Sequence, residues 1–102
     1  MEKNAGYEIR ESVLFDNGRG FALGENVREP APFVTWQFAE KNGHRDYFWD
    51  HYHTEEAAAV KDLAARSADY RRRYGVQEVK LPIAEQMKAA KEQTEKPVDK
   101  VR

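Results

Sequence analysis

Cysteine is absent from this 102-residue chain, which excludes disulfide bonds and thiolate metal ligands. No apolar run approaches the roughly 18 residues of a membrane-spanning helix, so no membrane partner is expected. The N-terminal segment lacks the apolar region of a secretory signal. Together these absences predict a cytoplasmic protein.

Charge, in contrast, is abundant and unevenly distributed. Charged residues make up 34% of the chain and hydrophobic residues 40%, which suits one small domain with part of the chain outside the fold. Residues 1–53 hold six Lys/Arg and nine Asp/Glu, whereas residues 80–102 hold six and four. The first half also carries most of the aromatic residues. Because phosphate backbones attract positive charge, this acidic half is poorly suited to bind nucleic acid.

Four segments have the period-two alternation or the β-branched and aromatic content of strands. In the first of them, Tyr7, Ile9, Glu11, Val13 and Phe15 are predicted to share one face. Asn-Gly pairs tolerate positive φ and mark two hairpin turns, while Pro30 and Pro32 mark a loop. The predicted strands cover residues 6–15, 21–25, 33–40 and 46–53, with the turns at Asn17-Gly18 and Asn42-Gly43.

An alanine-rich segment, residues 55–74, predicts a helix because it has high helical propensity and no glycine or proline. Thr54 is the expected N-cap, and Gly75 is the expected residue beyond the C-terminus. Arginines in the last turn complement the helix dipole. A single apolar stripe is expected from the spacing of Val60, Leu63, Ser67, Tyr70 and Tyr74.

These elements predict an α+β fold: a four-stranded antiparallel meander (ββββ) packed on one face by a C-terminal α-helix, with a flexible C-terminal tail. The single ββββα domain is predicted to cover residues 6–81. Its last residues form a short extended piece in which Val76, Val79 and Leu81 touch the core. Residues 82–102 are predicted to be a charged tail that is partly helical or disordered.

Several blocks of the sequence, within residues 6–75, resemble a small domain of unknown function found in conjugative transposons and other mobile elements of Gram-positive gut bacteria. The distinctive parts are "VTWQ", "YFWDHYH" and the alanine-rich helix. The resemblance implies a mobile-element context. It carries no catalytic residues over to this chain.

The segment "DYFWDHYH", Asp46 to His53, suggests a surface for a partner. With strict alternation, Tyr47 and Trp49 lie on one face of the sheet, and Phe48 and Tyr52 lie on the other. One helix covers only one face, so some of these rings are expected to remain exposed, and exposed aromatic surface often serves recognition. We therefore expect a non-catalytic protein-interaction module, with an unknown protein partner contacted by Trp36, Tyr47, Trp49, His51 and His53.

The alternative function is nucleic-acid binding through the basic end of the helix, Arg66 and Arg71, Arg72 and Arg73. A metal site at His51 and His53 requires a third ligand, for which His44 or Asp50 could be proposed. Asp50 points to the opposite face and His44 lies at the far end of the strand. No metal, no cofactor and no catalytic residue is expected, because no nucleophile, paired carboxylates or phosphate-binding loop is recognisable.

Overall fold

The computed structural model describes residues 2–79, and they form an antiparallel sheet with one helix, an α+β architecture as predicted. Successive long strands pair as a meander, and the sheet order is β1-β2-β3-β4-β5. The elements are β1 (Lys3–Asn4), β2 (Tyr7–Phe15), β3 (Arg19–Glu25), β4 (Phe33–Lys41), β5 (His44–His53), α1 (Glu56–Tyr74) and β6 (Glu78–Val79). The predicted tail, residues 82–102, and the predicted core contact of Leu81 lie outside the described residues.

The sheet has six strands rather than the four predicted, because two short strands extend it at the same edge. β1 pairs with the beginning of β2, and β6 pairs with its end. Each has only two residues, which is too short for an alternation pattern to reveal. The predicted contacts of Val76 and Val79 with the core are confirmed.

The Asn-Gly turns have the predicted positions. Asn42 and Gly43 both have positive φ, 56° and 75°, as a two-residue type I′ hairpin requires. The other hairpin has three loop residues between Phe15 and Arg19. There, Gly18 has φ of 85°, and its N–H donates to the carbonyl of Phe15 at 3.0 Å.

Strong curvature closes the sheet over the face opposite the helix, so that the strands are arranged nearly as a barrel. In a flat sheet, β2 and β5 would be about 14 Å apart, three strand spacings. Instead, the Arg45 guanidinium on β5 donates to the Ser12 hydroxyl on β2 at 2.8 Å. The rings of Tyr7 and Tyr52, on the same two strands, lie 6.3 Å apart. The sheet itself encloses this inner face except beside Tyr52, which is 57% exposed, so no second helix is needed to bury its core.

Small residues on β3 make the inner face narrow enough to close. Gly20, Ala22 and Gly24 lie opposite Phe38, Trp36 and Val34 on β4. A Cβ on Gly24 would lie 2.8 Å from the Trp36 ring, and one on Gly20 would lie 2.1 Å from the Val13 carbonyl oxygen. The β4 rings therefore lie directly over β3. We call this cluster the concave core; its buried members are Tyr7, Ile9, Leu14, Ala22, Val34, Trp36 and Phe38.

Two β-bulges reverse the faces that simple alternation predicts. The β2–β3 register shifts between Ile9 and Glu11, so Val13 and Phe15 belong to the helix-side core while Tyr7 and Ile9 belong to the concave core. The expectation that these β2 residues share one face is therefore wrong. An extra residue in one strand moves every later side chain to the other face.

The helix packs on the outer, convex side of the sheet. It buries Ala59, Leu63 and Ser67, while Val60 is 41% and Tyr74 61% exposed, so the predicted stripe is wrong at both of its ends. The helix begins at Glu56. Its N-cap is Glu55 rather than the predicted Thr54, and the Glu55 side chain makes no capping hydrogen bond. Gly75 ends the helix as predicted, with φ of 65°. The helix-side core consists of Phe15, Phe21, Leu23, Ala59 and Leu63.

Adding one methyl group to the narrow inner face should destabilise the fold. We expect Gly24→Ala to lower the free energy of unfolding by about 1–3 kcal/mol, because the Trp36 ring must move. Gly20→Ala should cost more, since its clash is with a backbone oxygen. Urea unfolding monitored by circular dichroism measures both.

Gly75→Ala is the control, because nothing lies within 4 Å of a Cβ at that position. This substitution should lower the free energy of unfolding only through the strain of a positive φ, by about 1–2 kcal/mol. A Gly20→Ala protein as stable as Gly75→Ala would contradict the packing described above.

Candidate interaction surface beside the helix

Trp49 is the most unusual residue of the described chain. It is 67% exposed, and its φ of 57° is in the left-handed region, where a bulky residue is an outlier. Its position is the β5 bulge, where the register to β4 shifts between Thr35 and Gln37. Such strained conformations persist only where surrounding contacts impose them, and they concentrate at functional sites.

Arg66 on the helix holds this bulge in place. One of its terminal nitrogens, Nη2, donates to the Trp49 carbonyl oxygen at 2.8 Å. The other, Nη1, donates to the Thr35 carbonyl and hydroxyl oxygens at 3.1 and 2.9 Å. The guanidinium also lies 5.3 Å from the ring centre of Phe21, within cation–π range. Burial lowers the pKa of Arg66, and the charge of Asp62 opposes that effect.

Asp62 forms the second polar link between helix and sheet. Its Oδ2 accepts hydrogen bonds from the Thr35 hydroxyl at 2.6 Å and from His51 Nδ1 at 2.9 Å. His53 Nε2 lies 3.2 Å from the same oxygen. Burial raises the pKa of Asp62, but the hydrogen bonds from Thr35, His51 and His53 outweigh it, so the pKa lies below its ordinary value of 3.8.

This polar cluster fastens the helix to the two last long strands. The Thr35 hydroxyl is fully buried and donates to Asp62. Both histidines are directed at a single carboxylate oxygen. Among residues 2–79, no group of three His, Cys, Asp or Glu side chains is arranged to hold a metal ion.

An open cleft of about 650 Å³ lies between the C-terminal half of the helix and the sheet, with Trp49 on its wall. Its aromatic side chains are buried Phe21, half-buried Tyr70 and exposed Trp49 and Tyr74. The rings of Tyr70 and Tyr74 are 4.5 Å apart. The full lining is Asn17, Arg19, Phe21, Gln37, Trp49, Arg66, Asp69, Tyr70, Arg73 and Tyr74. We call this surface the Trp49 cleft.

Positive charge predominates in the Trp49 cleft, since three arginines and one aspartate line it, a formal charge of +2. Arg73 Nε lies 3.1 Å from Asp69, and Arg72 outside the cleft contacts the same carboxylate at 2.8 Å. Arg19 has no ion pair with any other residue of the described part of the chain.

The residues predicted to form one partner-binding surface lie on different sides of the sheet. Trp36, 3% exposed, is buried in the concave core, and Tyr47 is partly buried against it. Trp49 does not share a face with Tyr47 as predicted, because the bulge turns it to the helix side. His51 is 50% exposed and His53 is half-buried beside Asp62.

Of the basic residues predicted for nucleic acid, Arg71, Arg72 and Arg73 are exposed, and Arg66 is half-buried and hydrogen-bonded to the sheet. Sequence reasoning missed Arg19 and Asn17 as neighbours of Trp49. Their only signal was a position in a hairpin turn, and a turn residue's distance from β5 depends on tertiary packing.

Comparisons with family models, curated proteins and solved structures found no significant match to this chain. Within residues 2–79, the single helix is too polar to cross a membrane.

The two tryptophans should differ sharply in access to solvent. Acrylamide should quench one accessible component of the fluorescence, and Trp49→Phe should remove that component because Trp36 is enclosed by the sheet. Steady-state quenching of the wild type and the variant measures this difference. Equal quenching of the remaining tryptophan would contradict the closed inner face.

The hydrogen bonds to Asp62 should make stability depend on pH. Because its folded pKa is depressed, its contribution is fully present above the unfolded pKa, near 3.8, and is lost as pH falls through the folded pKa. Asp62→Asn should therefore lower the free energy of unfolding at pH 7, by about 1–2 kcal/mol. The difference from wild type should shrink below pH 3.

Urea titrations at pH 7 and below pH 3 test this expectation. Asp46→Asn, at an exposed carboxylate, is the matched control and should stay within about 0.5 kcal/mol of wild type. If the difference in unfolding free energy between Asp62→Asn and wild type did not change with pH, the ionised Asp62 carboxylate would not be the group that these hydrogen bonds stabilise.

Proposed function

We propose that this chain is a non-catalytic protein-interaction module that recognises its partner through the Trp49 cleft. The observation that carries the proposal is Trp49 itself: a large ring, two-thirds exposed, on a strained backbone that Arg66 holds from the helix. Exposing such a ring gains nothing for folding. Tryptophan and arginine are also the residues most enriched among those that dominate binding energy at protein interfaces.

Nucleic-acid binding through the helix end is the second candidate, because rings and arginines occur together here. Two observations favour a protein. Arg66 is committed to carbonyl and hydroxyl oxygens of the fold, and Arg72 and Arg73 share Asp69. Single-strand binding sites accommodate about 4–16 nucleotides along a positive groove. A cleft of 650 Å³ matches pockets for small ligands or a few side chains.

The biological setting is proposed from the sequence alone. The blocks "VTWQ" and "YFWDHYH" support a module of a mobile genetic element, one that acts in the cytoplasm. The structure adds that the two blocks lie on paired neighbouring strands, β4 and β5. Thr35 of the first block is linked to Trp49 of the second, because Arg66 donates hydrogen bonds to both residues.

A photoreactive phenylalanine analogue placed at Trp49 should report the partner directly. In the protein's native cells, irradiation should yield a discrete adduct with another protein, identified by mass spectrometry. With that partner purified, Trp49→Ala should weaken binding by about 2 kcal/mol or more, as for a central tryptophan of an interface.

Val27 is the control position for the photoreactive group, because it is 77% exposed in the loop before β4 and away from the Trp49 cleft. The same adducts from both positions, or none from position 49, would argue against an interface at Trp49.

A further inference from the structure

The Trp49 cleft pairs an excess of guanidinium groups with an aromatic floor, and this combination defines the chemistry of its occupant. Phe21 and Tyr70 form an apolar floor, since their rings are packed 5.7 Å apart. Trp49 and Tyr74 extend that apolar surface into solvent. A side chain that enters the cleft is therefore aromatic or aliphatic, because it replaces water on these rings.

The guanidinium groups beside these rings favour a ligand that carries carboxylates. Arg19 has no acidic partner within residues 2–79, and the guanidinium of Arg66 contacts only uncharged oxygens. Asp69 is the one acidic residue that lines the cleft, and it is already shared between Arg72 and Arg73, while Asp62 and Asp50 act on Arg66 from outside the cleft. A guanidinium binds a carboxylate through parallel hydrogen bonds, and Arg73 can exchange its exposed bond to Asp69 for one to a ligand.

We propose that the Trp49 cleft binds an acidic peptide segment, in which one aromatic or aliphatic side chain inserts between the rings and flanking Asp or Glu side chains contact Arg19 and Arg73. This inference rests on the proposed function and specifies the partner's chemistry. The amides of Asn17 and Gln37 also line the cleft and can hydrogen-bond the peptide backbone.

A charge-reversal experiment tests the inference with the full chain as the bait. A phage library of random dodecapeptides is selected against the wild-type protein and, separately, against Arg19→Glu/Arg73→Glu. The wild type should enrich peptides with Asp or Glu next to an aromatic or aliphatic residue. The double variant should instead enrich Lys and Arg at those positions, and it should bind the wild-type peptides about tenfold or more weakly.

Arg28→Glu/Lys61→Glu is the matched control. It makes the same change in net charge at two exposed residues outside the cleft, so it should select and bind the same acidic peptides as wild type. A shift towards basic peptides in this control as well would mean that only overall charge matters, and it would overturn the inference.

Other outcomes separate this inference from the proposed function. Peptides that require Trp49, tested with Trp49→Ala, but show no acidic preference would overturn the acidic partner and leave the interaction surface intact. Selection of no peptide that requires Trp49 would overturn both. Binding of a 20-nucleotide oligo-dT, lost in Arg19→Glu/Arg73→Glu, without any such peptide would identify single-stranded nucleic acid as the occupant instead.

Discussion

The tight curl of the sheet is the constraint on which the rest of this structure depends. It is possible because β3 presents Gly20, Ala22 and Gly24 to the inner side, which leaves room for the rings of Trp36 and Phe38 to lie across that strand. Larger side chains at these three β3 positions would prevent the sheet from closing and leave the apolar residues of the inner face exposed to solvent. Once the sheet encloses this face, its apolar residues are buried without a second helix, and a small chain obtains two cores from one sheet.

The curl also determines which side of the sheet carries exposed rings. Most of the inner face is buried, and on the convex side, which the helix covers in part, the Trp49 cleft stays open. Arg66 and Asp62 join helix to sheet through Thr35, so the same polar contacts dock the helix and position the exposed ring. A partly buried network of this kind holds its members in one geometry, and pre-organised surfaces lose less entropy when they bind.

Sequence patterns predicted the order of elements well, because the relevant signals are local. Asn42-Gly43 adopts positive φ at both positions, and Gly75 ends the helix, since few other residues reach those conformations at low cost. The patterns failed where one residue changed the register. The bulges near Arg10 and at Trp49 exchange the two faces of their strands. A period-two pattern assumes one residue per step, so it does not reveal an inserted residue.

The sequence by itself determined an antiparallel meander followed by one helix, and it predicted exposed rings in the aromatic segment around Trp49. Only the tertiary structure decided which rings are free, because exposure depends on sheet curvature and on the two bulges. Trp36 and Trp49 are similar in sequence context, yet Trp36 is buried in the concave core and Trp49 is exposed on the convex side. Likewise, Arg19 and Arg73 are 54 positions apart in the chain and meet at one cleft only because the helix folds back across the sheet.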